Sequence, residues 1–201
     1  MAPNIFLVRH GETEWTLSGQ HTGRSDIPLT ANGEAQASAL APWLRETRFT
    51  HVLTSPRQRA RRTCDLAGLG ATATTEADLA EWDYGDYEGQ RSADIRKTRP
   101  DWTVWRDGCP GGETPDQITS RTDRLIARLD TLDGNIALFS HGQFACALAT
   151  RWIARPVIEG RHLSLGVASL SRLGYDLSHK EIRVIALWNA IPSSLASGKF
   201  G

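Results

Sequence analysis

Two stretches far apart in the chain repeat one device, and that repetition constrains the fold more than anything else in the sequence. Ile5-Phe6-Leu7-Val8 is a short apolar run that ends in Arg9-His10-Gly11, and Ile136-Ala137-Leu138-Phe139 is another that ends in Ser140-His141-Gly142. A few apolar residues closed off by a polar turn read as a buried strand, and glycine lets the backbone turn at once. If both strands lie in one parallel sheet, both exits share an edge and the two histidines face one ligand, where open α/β sheets bind. Either histidine alone reads as a strand-end residue satisfied by a carbonyl; the pair points to a site.

Size and composition bound the rest. At 201 residues the chain makes one domain, or one domain with a lobe. Apolar content of 40% and charged content of 23% are those of a soluble globular protein. Acidic and basic residues balance at 23 each, so no global field points to nucleic acid or to an anionic membrane. The first apolar run is short and broken by Arg9, unlike a secretory leader, and no stretch approaches the roughly 20 apolar residues of a membrane span. Cys64, Cys109 and Cys146 are odd in number and widely spaced, which fits a reducing interior better than a disulfide framework. A cytoplasmic protein is expected.

Between the two strand exits the chain alternates strands with helical patterns. The polar stretch from Glu12 to Leu29 is long for a linker and reads as a functional loop. Thr30 reads as the cap of a helix running to about Arg45, followed by a strand at His51–Thr54. Ser55-Pro56 reads as a cap plus first-turn proline for a helix carrying Arg57, Arg59, Arg61 and Arg62. Four cations oppose the helix dipole there, so at least one is expected to meet an anion while the others reach solvent. Residues 82–113 hold Trp82, Trp102 and Trp105 and read as an inserted helical lobe with a small core of its own. Within it Asp107–Glu113 is a glycine-rich loop, either approaching ligand or forming a plain turn. Thr114-Pro115 opens a helix with an apolar stripe through Ile118, Leu125, Ile126, Leu129 and Leu132, and a further helix follows His141. Val167–Leu173 and Ile182–Leu187 read as two late antiparallel strands. The expected architecture is α/β, a three-layer sandwich with a mostly parallel central sheet, comprising one domain over residues 1–192 and a flexible tail at 193–201.

The residues gathered at these turns suit phosphoryl transfer. A phosphomonoester needs cationic donors on its oxygens and an in-line nucleophile, which histidine can supply. An alkoxide leaving group needs a proton, which a carboxyl in a partly desolvated pocket can give and later reclaim; Glu81 is the candidate. Other phosphatase chemistries lack their motifs: no cysteine has an arginine six residues on, no His-x₃-His spacing marks a metal site, and no Gly-x₄-Gly-Lys loop occurs.

Leu7-Val8-Arg9-His10-Gly11 followed by Glu12-Thr13 and Trp15 resembles the signature of the histidine phosphatase superfamily, the phosphoglycerate-mutase-like fold. The likeness continues through Thr22-Gly23, Leu29-Thr30, Ser55-Pro56-x-x-Arg59-Ala60-x-x-Thr63, Leu79-x-Glu81, Glu88-Gly89, Gly112-Glu113-Thr114 and Ser140-His141-Gly142. The resemblance implies that His10 is the phosphorylated nucleophile, that Arg9, Arg59 and His141 form the phosphate pocket, and that Glu81 is the acid/base. It implies that Thr16, Thr22, Gly23, Tyr84 and Gly142 border substrate, with no metal or organic cofactor. Where much of the family has asparagine this chain has Thr16, so a hydroxyl replaces an amide at the phosphate. The stretches Glu81–Gly89 and Trp105–Cys109 are similar to the sedoheptulose-bisphosphatase-like branch, which implies a sugar phosphate. A phosphatase of small metabolites is the leading expectation. A cofactor-dependent phosphoglycerate mutase and an inactive binding module are the alternatives, with a homodimer as the candidate assembly.

Overall fold

The computed structural model describes residues 3–192, so the expectation of a flexible tail at 193–201 lies outside the described residues. Six strands form one sheet in the order β3-β2-β4-β1-β5-β6: β1 (Asn4–Arg9), β2 (His51–Thr54), β3 (Ala73–Thr75), β4 (Asn135–Ser140), β5 (Leu170–Tyr175) and β6 (Arg183–Ala190). Strands β1 to β4 pair in parallel; β5 runs antiparallel to both its neighbours, β1 and β6. The decisive register is that of β1 on β4, where Ile5 sits opposite Ile136 and Arg9 opposite Ser140. The two apolar runs therefore end side by side.

Alternation along the strands sorts the core into two layers. Ile5, Leu7, Leu53, Ile136 and Leu138 point to one face and pack under α7 (Pro115–Leu129) and α8 (Gly142–Trp152). Val8, Val52, Ala137 and Phe139 point to the other, where Leu40, Leu44 and Cys64 from α2 (Ala31–Ser38), α3 (Ala41–Arg45), α4 (Gln58–Leu66) and their junctions cover them. This is the expected three-layer α/β sandwich, and β3 is a strand too short and polar to read from the sequence.

Several helices begin where their residues dictate. Thr114 caps α7 through its hydroxyl on the Gln117 amide, Gln117 returns the bond, and Pro115 fills the first turn. Thr30 caps α2 in the same way, on the Gly33 amide. Two boundaries differ from the reading above. The expected helix from Thr30 to Arg45 is two helices, because the chain turns at Ala39-Leu40 and restarts with Pro42 in the first turn of α3. Ser55-Pro56 does not cap α4, which starts at Gln58 behind Arg57; the Ser55 hydroxyl accepts from the Arg57 amide, ahead of the helix, and also meets His141. Gly11 and Gly33 explain how tightly α2 approaches the β1 exit: a methyl on Gly11 would lie 2.4 Å from the Gly33 carbonyl oxygen.

The 82–113 segment contains a 3-10 turn at Gly85–Tyr87 and two single-turn helices, α5 (Ser92–Ile95) and α6 (Val104–Asp107). α1 (Glu14–Ser18) lies in the loop after β1. The tryptophans do not form a separate core. Trp82 and Trp102 are buried in the same apolar cluster as Ile5 and Leu138, and Trp105 packs edge-on to Trp82. Their indoles donate inward, Trp82 Nε1 to the Glu113 carbonyl and Trp102 Nε1 to the Gly108 carbonyl. Of the two readings of Asp107–Glu113 the plain turn holds: Pro110 to Gly112 pack against Gly85, where a side chain would collide with their backbone. No helix among the described residues is long and apolar enough to cross a membrane.

Candidate active site

The exits of β1 and β4 bring the predicted pair together, with the His10 and His141 rings 5.1 Å apart. His10 is held by its backbone amide on the Ser140 carbonyl, and the next amide, Gly11, donates to the Thr63 hydroxyl at 3.0 Å. Its Nδ1 lies 2.7 Å from the Gly11 carbonyl oxygen, which can only accept, so Nδ1 carries the proton and Nε2 keeps the lone pair. Burial first, then the charges of Arg59 and Arg9, push the pKa of His10 well below 6.5. A neutral imidazole with a free Nε2 is the form a nucleophile needs.

Arg9 lies beside it. One terminal nitrogen donates to the Leu165 carbonyl, while its buried Nε has no partner among the described residues. A buried guanidinium N–H without an acceptor is costly, and an anion is the ligand that would remove the cost. Glu81 approaches from the turn before the lobe and sits at the N-terminus of α8. Its carboxylate accepts from the amides of Trp82 and Phe144 at 2.9 and 2.8 Å and from that of Gln143 at 3.1 Å. Burial nevertheless raises its pKa above the usual carboxylate value, those amides and Arg59 limiting the rise.

Arg59 and His141 sit behind this front. Arg59 is fully buried on α4, and of the five N–H groups of a guanidinium four are engaged: Nε on His141 Nδ1, one on the Ser25 carbonyl and two on those of Thr22 and Gly23. Accepting at Nδ1 puts the His141 proton on Nε2, which donates to the Ser55 hydroxyl at 2.7 Å. Burial and Arg59 hold His141 neutral as well, and burial lowers the pKa of Arg59 only to about 10, so it stays charged.

A cavity of about 250 Å³ opens over His10, Arg9 and Glu81. Thr16, Thr22 and Tyr84 line it; Arg59 and His141 do not, being fully buried with their donors on carbonyls and on Ser55. The Thr16 hydroxyl differs too: it accepts from the Thr13 amide and donates to the Thr13 carbonyl, closing the first turn of α1. Gly23 lies beneath the cavity, its amide on the Glu88 carboxylate and its carbonyl on Arg59. Gly142 lines an adjoining hollow with Arg9, Gln143 and Arg161. A larger cleft of about 490 Å³ lies between α4 and β3, and no histidine lines it.

This geometry belongs with a known family. The family model described as the histidine phosphatase superfamily (branch 1) matches residues 5–189. The chain belongs to the histidine phosphatase superfamily. An acid phosphatase of Mycobacterium tuberculosis is 39% identical over 198 residues, covering 96% of this chain and 97% of its own length. The sedoheptulose 1,7-bisphosphatase of Saccharomyces cerevisiae is 37% identical over 185 residues, covering 76% and 68%. A solved Mycobacterium tuberculosis structure, the product of an open reading frame, superposes with a TM-score of 0.87 at 36% identity, covering 94% of this chain and 98% of that one. The enzyme is a phosphatase of this superfamily.

Four residues that support this histidine phosphatase site were not singled out from the sequence. Ser55 and Thr63 lie inside a recognised motif, yet nothing there says that one holds His141 and the other the Gly11 amide. Glu88 accepts from the amides of Gly23 and Ser25 and so fixes the carbonyls that hold Arg59. Arg121 binds the carbonyls of Asp78, Ala80 and Glu81 while pairing with Glu113, which sets where Glu81 stands. Arg121 did carry a signal: it falls on the buried stripe between Ile118 and Leu125, where a charge demands a partner.

Proposed function

We propose that the protein hydrolyses phosphomonoesters of small metabolites, sugar phosphates foremost, by passing the phosphoryl group through His10. One observation carries the reading: a neutral His10 with its lone pair on Nε2 lines one cavity together with Arg9, whose buried Nε–H is unpaired among the described residues, and with a carboxyl whose pKa is raised. Substrate phosphate sits on Arg9. His10 Nε2 attacks phosphorus as the phosphorus–ester oxygen bond breaks, and Glu81 gives its proton to the departing alkoxide. Water then attacks the phosphohistidine, Glu81 takes back a proton, and the phosphorus–nitrogen bond breaks to return neutral His10. His141 exchanges its Ser55 bond for a phosphate oxygen, and the Arg59 charge beneath stabilises the transferring group.

The relatives named acid phosphatase and sedoheptulose 1,7-bisphosphatase support hydrolysis and a sugar-phosphate substrate. A cytoplasmic setting suits three buried free cysteines, and a homodimer would use the exposed edge strand β6, where Leu187 faces solvent. The test is phosphate release from a panel of C3 to C7 sugar phosphates by wild type and His10→Ala. Release by the wild type alone supports the reading. Equal rates would mean a binding module, and conversion of 3-phosphoglycerate to its 2-isomer without free phosphate would mean a mutase.

A further inference from the structure

His21 is a titratable group in the cavity wall that the mechanism above leaves unused. Its imidazole lies nearly parallel to the Tyr84 ring, with centroids 4.4 Å apart and 25° between planes, and meets the edge of Trp102 at 5.5 Å. Its Nε2 is 3.1 Å from the hydroxyl of Ser92, which lines the same cavity. Its backbone is fixed on both sides: the His21 amide donates to the Gln90 carbonyl, and the Gly89 amide donates to the His21 carbonyl. Stacking on Tyr84 and the Ser92 bond orient the ring, and among the described residues Nδ1 has no hydrogen-bond partner. Burial also lowers the pKa of His21 to about 4, so the ring offers a neutral polar edge at physiological pH.

A stacked, neutral imidazole with one nitrogen paired to a serine hydroxyl is suited to hydrogen-bond a neutral polar group. The reacting phosphate calls for charge, which Arg9 supplies and a neutral imidazole does not, so the group that meets His21 belongs to the organic part of the substrate. We infer that His21, oriented by Ser92, is a specificity-determining residue that binds a hydroxyl of the substrate's carbon chain. This rests on the phosphatase reading and narrows it to polyhydroxylated phosphate esters. Sites built to hydrogen-bond a hydroxyl reject analogues that lack it far more strongly than apolar pockets reject extra bulk.

The test compares D-fructose 6-phosphate with hexyl phosphate, both of which release a primary alkoxide. The wild type is expected to favour the sugar ester in kcat/KM by at least tenfold. His21→Phe keeps a ring on Tyr84 and removes both nitrogens; the ratio of the two kcat/KM values is expected to fall at least tenfold, mostly through the sugar ester. Ser92→Ala is expected to lower the ratio part-way, and the double variant to lie no lower than His21→Phe alone. A merely structural His21 would lower both substrates in proportion, and an unchanged ratio in His21→Phe overturns the inference. Turnover of neither ester by the wild type would instead overturn the phosphatase reading, and the inference with it.

Discussion

Arg59 Nε donates to Nδ1 of His141 at 3.1 Å, and this bond fixes the tautomer of a histidine whose other nitrogen faces Ser55. The arginine is in turn held by carbonyls from one short loop, Thr22 to Ser25, that Glu88 grips through two amides. Charge, tautomer and loop conformation are thus one unit.

Arg59→Lys therefore removes more than its unchanged charge implies. An ammonium cannot span three carbonyls and an imidazole nitrogen, so His141 loses its orientation along with the loop. We expect kcat to fall by about 10²–10³, the scale for loss of one preorganised donor. Steady-state kinetics on a sugar phosphate checks it; a loss below fivefold would mean that Arg59 serves packing only.

The Glu81 carboxyl must be protonated to give its proton, and burial raises its pKa. Rates with poor leaving groups therefore fall as pH rises through that raised value. On the acid side His10 must stay neutral, and since its pKa is pushed well below 6.5 that limb lies at lower pH. The profile is acidic to neutral. Glu81→Gln should erase the alkaline limb and reduce kcat by about 10²–10⁴. An alkaline optimum that survives in Glu81→Gln would take the residue out of the acid role.

Stability should also depend on pH in a defined direction. His10, His21 and His141 titrate below 6.5 when folded, so between 6.5 and their lowered values the unfolded chain binds more protons and stability drops as pH falls. Glu81 works oppositely: above 4.5 and up to its raised folded value the folded chain binds the extra proton, so stability drops as pH rises. Three imidazoles outweigh one carboxyl, and the urea midpoint is expected to be lower at pH 5 than at pH 7, with a smaller difference in His10→Asn. A midpoint that rises between pH 7 and pH 5 would contradict this balance.

Much of this was legible in the sequence, for identifiable reasons. The His10 and His141 turns could be placed because a buried strand followed at once by glycine has few conformations, and parallel pairing leaves its exits on one edge. Thr114-Pro115 worked as a cap because its partner Gln117 lies three residues away. Ser55-Pro56 looked the same but failed: the serine hydroxyl meets the Arg57 amide and a histidine 86 residues on, and the helix starts only at Gln58. The Arg59 setting was illegible because it consists of backbone carbonyls, which every residue has. Thr16 lines the cavity, but its hydroxyl is spent locally on Thr13, a bond the motif does not announce. The tryptophans misled because composition marks an insertion without saying which core it joins.

The most direct test is to catch the phosphoryl group on the enzyme. Wild type mixed with radiolabelled sugar phosphate, quenched in alkali within milliseconds and digested should yield one acid-labile, alkali-stable labelled peptide, the one containing His10, and His10→Ala should yield none. Label on another peptide, or none during rapid turnover, would contradict the account.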